Sequence, residues 1–164
     1  MYISGVPFSI QYFRAHFGSA PMSGKVSLVL ADPIDMCDGV TLQPILNNRD
    51  AIGGEGNVYI LARRGTCTFG EKASEAEAAG AKGIVYINDR DGISHASAPD
   101  VREIKNFSPS MIASVDGEYL ISHFSETMTS GGVEAHFIPV ACVAEPKSLD
   151  TDNFCEPVRR RRRT

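Results

Sequence analysis

Between residues 58 and 88 the hydrophobic pattern switches from strand to helix and back, and this switch constrains the fold more than any other feature. Val58-Tyr59-Ile60-Leu61 is an unbroken apolar run of strand length, the pattern of a strand buried on both faces. Thr68-x-x-Glu71 then forms a capping box, in which the threonine hydroxyl takes a free amide at the helix start while the glutamate reaches back. From Phe69 the spacing predicts a helix with Ala73, Ala76 and Ala79 inward and Glu71, Glu75 and Glu77 outward, stopped by Gly80. Small alanines on the inner face allow close approach to a sheet. Gly83-Ile84-Val85-Tyr86-Ile87 returns as a second buried strand. Two strands joined in this way make a parallel, right-handed βαβ unit.

Further elements extend that unit into an α/β domain. Val26 to Leu30 reads as a strand ending at Asp32-Pro33, followed by an Asp-, Asn- and Gly-rich loop from Pro33 to Asn57. A long polar connection over 88–109 is of the length that carries function or moves. Ser110 to Ala113 is expected as a strand. Asp116 to Met128 is expected as a helix with Leu120, Ile121, Phe124 and Met128 at helical spacing, stopped by Gly131-Gly132. Val133 to Ile138 alternates apolar and polar, as a strand with one solvated face should. Phe8 to Phe17 alternates less cleanly and is expected at a sheet edge. The division is a segment over 1–24, a domain over 25–142, and an extended tail over 143–164. There are no internal repeats.

The 164 residues suit one domain with one sizeable core. No apolar run approaches the eighteen or so residues a membrane span needs, so no direct span is expected. The net charge of −4 conceals an asymmetry, because five bases sit together in Arg159 to Arg163. Without them eleven bases face twenty carboxylates, a balance of −9. Such an acidic body does not suit nucleic acid, whose phosphates need clustered Lys and Arg on a folded surface. The arginine run itself reads as exposed and disordered, with a basic processing site as the second choice. Met1 to Pro7 lacks the basic segment and long apolar run of a secretory leader, so a leader would have been removed or would lie elsewhere in a longer precursor.

Cys37, Cys67, Cys142 and Cys155 are widely spaced, with no CxxC pair. Structural zinc sites pair their ligands two to four residues apart, so zinc is disfavoured and no metal or cofactor is expected. Two disulfides formed in an oxidising lumen fit better. Four cysteines allow three connectivities, and the spacing does not choose among them. Each native disulfide lost is expected to cost about 2–4 kcal/mol.

Several spaced motifs then agree in order. Arg63-Arg64-Gly65-Thr66-Cys67-Thr68-Phe69, Glu71-Lys72, Ala78-Ala79-Gly80-Ala81 and the strand closing in Asn88-Asp89 together resemble the core of the protease-associated domain family. Phe107 to Ile112 and Asp116-Gly117-Glu118-Tyr119-Leu120 resemble that family's later segment, so the likeness covers roughly residues 25 to 140. The family occurs as a luminal or extracellular domain in sorting receptors, transmembrane RING ubiquitin ligases, mannosidase-like proteins, subtilases and aminopeptidases. The resemblance implies an α/β fold with a mixed, barrel-like sheet flanked by two or three helices. It also implies a Cys37–Cys67 disulfide, leaving Cys142 to pair with Cys155. In the sorting receptors the R-G-x-C loop helps hold a cargo peptide, which points to Arg64, Gly65 and Thr66 as partner contacts. Asp89, Asp91 and His95, in the connection that varies between family members, are further candidates for specificity.

Each functional feature has a plainer counterpart. Cys67 precedes a helix, which lowers a thiol pKa, but no histidine lies close in sequence and a structural disulfide is favoured. Asn88-Asp89-Arg90-Asp91-Gly92 resembles the start of a calcium loop but has no glutamate at the twelfth position, so a strand-end turn is the better account. His16 and His95 are expected at the surface. Asp32, Asp35 and Asp38 cluster around Cys37 without anything to set one pKa against another. Asn106-Phe107-Ser108 is a glycosylation sequon followed by Pro109, which disfavours its use, and Asn153-Phe154-Cys155 is the rarer cysteine form.

The expected function is therefore a non-catalytic module of the secretory lumen or extracellular space that recognises a protein or peptide ligand. Turn-rich loops on a rigid βαβ frame are where recognition surfaces usually sit, and a phosphate loop, a metal cluster and a nucleophile–base pair are all missing from the sequence. An extended peptide would bind at a sheet edge or on the 88–109 connection. The alternative is an accessory domain that shapes substrate access for a neighbouring hydrolase domain in a larger parent protein. An independent enzyme is the third and least favoured reading.

Overall fold

The computed structural model describes residues 1–22, 24–37, 57–90, 92, 94–98, 104 and 106–138. Among these residues the elements are β1 (Tyr2–Ile3), β2 (Tyr12–Arg14), β3 (Gly24–Leu30), β4 (Val58–Arg63), α1 (Phe69–Ala78), β5 (Gly83–Ile87), β6 (Ser108–Ile112), α2 (Ser114–Ser130) and β7 (Val133–Phe137). The strands make one mixed sheet in the order β1-β7-β3-β4-β5-β6-β2. Its centre, β3-β4-β5-β6, is parallel, while β7, β1 and β2 add antiparallel. The β4-α1-β5 unit stands where the hydrophobic pattern placed it.

Side-chain alternation splits the core between the two faces of the sheet. Val58, Ile60 and Ala62 of β4 join Ala73 and Ala76 of α1, Tyr86 of β5 and Met111 of β6. Tyr59 and Leu61 turn the other way, to Val85, Ile87, and Leu120 and Met128 of α2. The alanines let α1 lie close, and the Tyr86 hydroxyl donates to the Phe69 carbonyl at 2.7 Å, pinning the first turn of the helix. On the other face a Cβ on Gly117 would collide with Ile87, so glycine there sets the approach of α2 to β5.

The sheet curls toward a half-barrel. The hydroxyl of Tyr12, on the β2 edge, donates to the Ile138 carbonyl just past β7, at 2.9 Å. The Tyr12 and Phe137 rings meet edge to face with centroids 5.1 Å apart. Burial, reinforced by Tyr59, pushes the Tyr12 phenol pKa up to about 12.

Element bounds differ from expectation where the sequence carries a breaker. β6 begins at Ser108 rather than Ser110, because Pro109 sits in register with Ile84 and its missing amide is tolerated, while its carbonyl accepts from Ala15. Ala113 is the N-cap of α2 rather than a strand residue, and α2 runs from Ser114 to Ser130, longer at both ends than the expected 116–128. The N-terminal edge strand is present but short, as β2, and the two-residue β1 was not anticipated. β7 keeps the expected alternation of buried and less buried residues.

Candidate functional site

The Arg-Gly-Thr-Cys segment forms a tight turn at the carboxyl end of β4. The Arg64 amide still donates to Ile87 of β5 at 2.9 Å, extending the parallel pairing by one step. The chain then reverses through Gly65 (φ 111°) and Thr66 (φ 65°), and the Cys67 amide closes the turn on the Gly65 carbonyl at 2.8 Å. Glycine accepts such a conformation freely. A β-branched threonine does so only under constraint. Both residues are exposed at the tip.

Two clamps hold the turn. Behind it, Cys67 is bonded to Cys37 across 30 residues, with Cα atoms 5.6 Å apart. Directly after it, Thr68 caps α1: its hydroxyl accepts from the Glu71 amide at 3.1 Å, and Glu71 Oε2 accepts from the Thr68 amide at 2.8 Å. The bonds that Glu71 Oε2 accepts from the Thr68 amide and, at 2.9 Å, from the Thr68 hydroxyl hold its carboxyl below the usual carboxylate range.

Arg64 reaches sideways to the end of β5. Its guanidinium donates to Asn88 Oδ1 at 2.9 Å, lies 3.3 Å from Asp89 Oδ1, and rests over the Phe69 ring, 5.5 Å from its centroid. Asn88 is buried and serves as a hub. Its Oδ1 also accepts from the Asp89 amide at 3.0 Å, and its side-chain amide donates to the Gly92 carbonyl at 3.0 Å. Arg90 adds a weaker approach to Asp89 at 3.7 Å. Arg63 pairs with Glu118 of α2 at 2.7 Å on the same rim of the sheet.

The structure therefore gathers Arg64, Gly65, Thr66 and Asp89 at the carboxyl ends of β4 and β5. His95 belongs to a different group. Its Nδ1–H donates to the Arg14 carbonyl at 2.7 Å, and its ring lies 4.9 Å from that of Phe13 and 4.6 Å from that of His16. Because Ala15 turns its amide toward β6, Arg14 and His16 direct their backbone groups outward. The His16 amide meets Ala96 at 2.9 Å, so the 94–98 segment lies along the outer edge of β2. No hydrogen bond or ring contact joins His95 to Arg64 or Asp89 among the described residues. Asp91, the proposed Cys142–Cys155 pair, Asp38, Asn153 and the arginine run fall outside the described residues.

Asn106 is exposed on the turn before β6, with φ 66°. Its backbone amide donates to Ser19 Oγ at 3.2 Å. Ser108, the third residue of the sequon, is only 2% exposed within β6. Among the described residues no group of three or more His, Cys, Asp or Glu is placed to hold a metal ion, and no helix is long and apolar enough to cross a membrane.

Sequence reasoning missed two residues that build the site. In the sequence Asn88 stands as the closing residue of a strand; its part as the joint between turn and connection has no mark in a single sequence. Lys72 is completely buried, with its ammonium against the Asp35 carbonyl and Cys37 Sγ. Its signal was available, since Lys72 lies four residues before Ala76 on the inward stripe of α1.

A family model described as the PA domain matches residues 22–149. Signal peptide peptidase-like 4 of Oryza sativa subsp. japonica is 41% identical over 66 residues, 40% of this chain and 10% of that protein. The ER degradation-enhancing alpha-mannosidase-like protein 3 of Xenopus laevis is 37% identical over 89 residues, 52% of this chain and 9% of that protein. The chain thus spans only about a tenth of these relatives. A zinc aminopeptidase from Bacillus subtilis shares the fold, with a TM-score of 0.52 at 19% identity over 82% of this chain and 28% of that one. With the R-G-x-C turn, the disulfide to the upstream segment and the mixed half-barrel sheet all in place, this chain belongs to the PA domain family.

Proposed function

We propose that the domain is a non-catalytic recognition module of the secretory or endomembrane lumen, and that it meets its protein or peptide partner at the Arg64-Gly65-Thr66 turn with Asp89 beside it. One observation carries this reading. The tip of the turn is exposed and held in a left-handed conformation at a β-branched residue, with the disulfide on one side and the Arg64–Asn88 contact on the other. Constrained backbone of this kind collects at ligand-contacting sites. The turn also lies at the carboxyl ends of parallel strands, among the loops that a rigid βαβ frame presents for recognition. The disulfide, and the ER that the mannosidase-like relative carries in its name, support the compartment.

His95 and Asp91 are secondary candidates. His95, exposed on the segment that covers the β2 edge, would act on a partner resting on that segment rather than on one seated at the turn.

Selecting a displayed random-peptide library on the oxidised domain tests the proposal. Enriched peptides should lose about tenfold or more in affinity for Thr66→Arg and for Arg64→Ala. Peptides indifferent to both variants, or no enrichment, would refute the turn as the contact.

The relatives support a second reading, in which the domain shapes substrate access for a hydrolase in the same polypeptide. A longer transcript encoding a protease or glycosidase domain favours it, and one encoding a receptor-type tail does not. Asn106 is the candidate glycosylation site in either case. Because Ser108 is buried in the folded sheet, attachment would have to precede folding. Asn106→Gln should abolish any added glycan mass in protein made through microsomes, and none should be added to refolded domain.

A further inference from the structure

Lys72 is a cation where the fold has no evident need of one. It is 0% exposed on the inward face of α1, and its ammonium has two partners among the described residues. It donates to the Asp35 carbonyl, and it lies 3.1 Å from Cys37 Sγ, one of the two sulfurs of the disulfide. A buried charge is costly unless it is compensated, and a neutral disulfide compensates it poorly. A thiolate at the same position would compensate it fully.

We infer that the Cys37–Cys67 bond is a thiol–disulfide exchange site with a built-in direction, in which a dithiol reductant attacks Cys67 Sγ and Cys37 leaves as a thiolate held by the Lys72 ammonium. Exchange is faster when the departing sulfur is the better-stabilised thiolate, and a neighbouring lysine provides that stabilisation. In the first step a reductant thiolate forms a bond to Cys67 Sγ, the Sγ–Sγ bond breaks, and its electron pair stays on Cys37. In the second, the reductant's other thiol loses its proton and attacks its own sulfur in the mixed disulfide, releasing Cys67. Two electrons pass from the dithiol, which becomes a disulfide, to the protein, which becomes a dithiol.

Other groups around Cys37 Sγ bear on the balance. The Asp35 and Gly65 carbonyl oxygens lie 3.2 and 3.6 Å away and disfavour negative charge on the sulfur. Burial lowers the Lys72 pKa, while the carboxylates of Asp35 and Glu71 raise it and favour the charged ammonium. At 3.1 Å the Lys72 nitrogen is closer to the sulfur than either carbonyl, and in its protonated form it brings a full charge where a carbonyl brings a partial one. This inference concerns the bond alone and stands or falls apart from the partner surface.

The test uses the full chain, oxidised, in two arms. Brief exposure to glutathione, acid quenching and peptide mapping should find the trapped glutathione on Cys67. Equilibration in reduced and oxidised dithiothreitol, scored by alkylation and mass, should show Lys72→Met shifted toward the disulfide by about tenfold or more. Glutathione trapped on Cys37, or equally on both sulfurs, overturns the inference, as does a Lys72→Met equilibrium unchanged from wild type. If Lys72→Met does not fold, the wild-type trapping arm decides alone.

Discussion

Arg64 and Asn88 meet at 2.9 Å, and that single contact couples the turn after β4 to the connection that leaves β5. Asn88 is buried, and it also holds the Asp89 amide and the Gly92 carbonyl. Removing it leaves those groups without their partner. Asn88→Ala should destabilise the domain by about 1–3 kcal/mol in urea denaturation. It should also raise amide hydrogen exchange at Arg64 to Thr66 more than at β3, and uniform exchange across the sheet would count against the hub.

The disulfide closes a loop of 30 residues. Chain-entropy reasoning puts its contribution at about 3–4 kcal/mol. The double variant Cys37→Ala, Cys67→Ala should unfold at a correspondingly lower denaturant concentration, and a midpoint equal to wild type would contradict that figure.

The Thr68–Glu71 cap makes a prediction with a sign. The Glu71 pKa is lowered in the fold, mainly by the hydrogen bond from the Thr68 backbone and then by its hydroxyl. Its contribution is present above the ordinary carboxylate pKa and is lost as pH falls through the lowered folded value. Thr68→Ala should cost about 1 kcal/mol at neutral pH. Glu71→Gln should flatten the acid limb of the stability curve, measured by thermal melts between pH 7 and 2. A limb as steep as that of wild type would remove Glu71 from this role.

Gly83 is a packing constraint rather than a turn. A Cβ there would run into the Tyr59 ring and the Ser108 carbonyl. Gly83→Val should therefore destabilise by about 1–3 kcal/mol or more, with disturbed near-UV signals from tyrosine. A folded variant of wild-type stability would mean that the β4-β5-β6 spacing is looser than described.

Much of this architecture was legible because local and long-range preferences agree. The apolar run of β4, the cap at Thr68, the alanine stripe and Gly80 all specify the same βαβ unit, and the unit forms as expected. Ser108-Pro109 misled because proline reads as a breaker, and only the sheet context supplies a position where its missing amide is harmless. The two residues of β1 hold too little pattern to be read at all. The turn is marked in the sequence by family likeness rather than by any hydrophobic period. The assembly around it depends on contacts such as Arg64–Asn88 and Lys72–Cys37, which join residues 24 and 35 positions apart and leave no periodic trace.

The strip of chain from Ser94 to Ala98 has a consequence for how copies of this domain behave together. A sheet that ends in bare amides and carbonyls is sticky, because any stray backbone can zip onto it. Here the outward Arg14 carbonyl and His16 amide are already engaged, by the His95 ring and the Ala96 carbonyl, and Ala96 is wholly enclosed. A concentrated solution of the domain is thus shielded at this rim from strand-by-strand self-association.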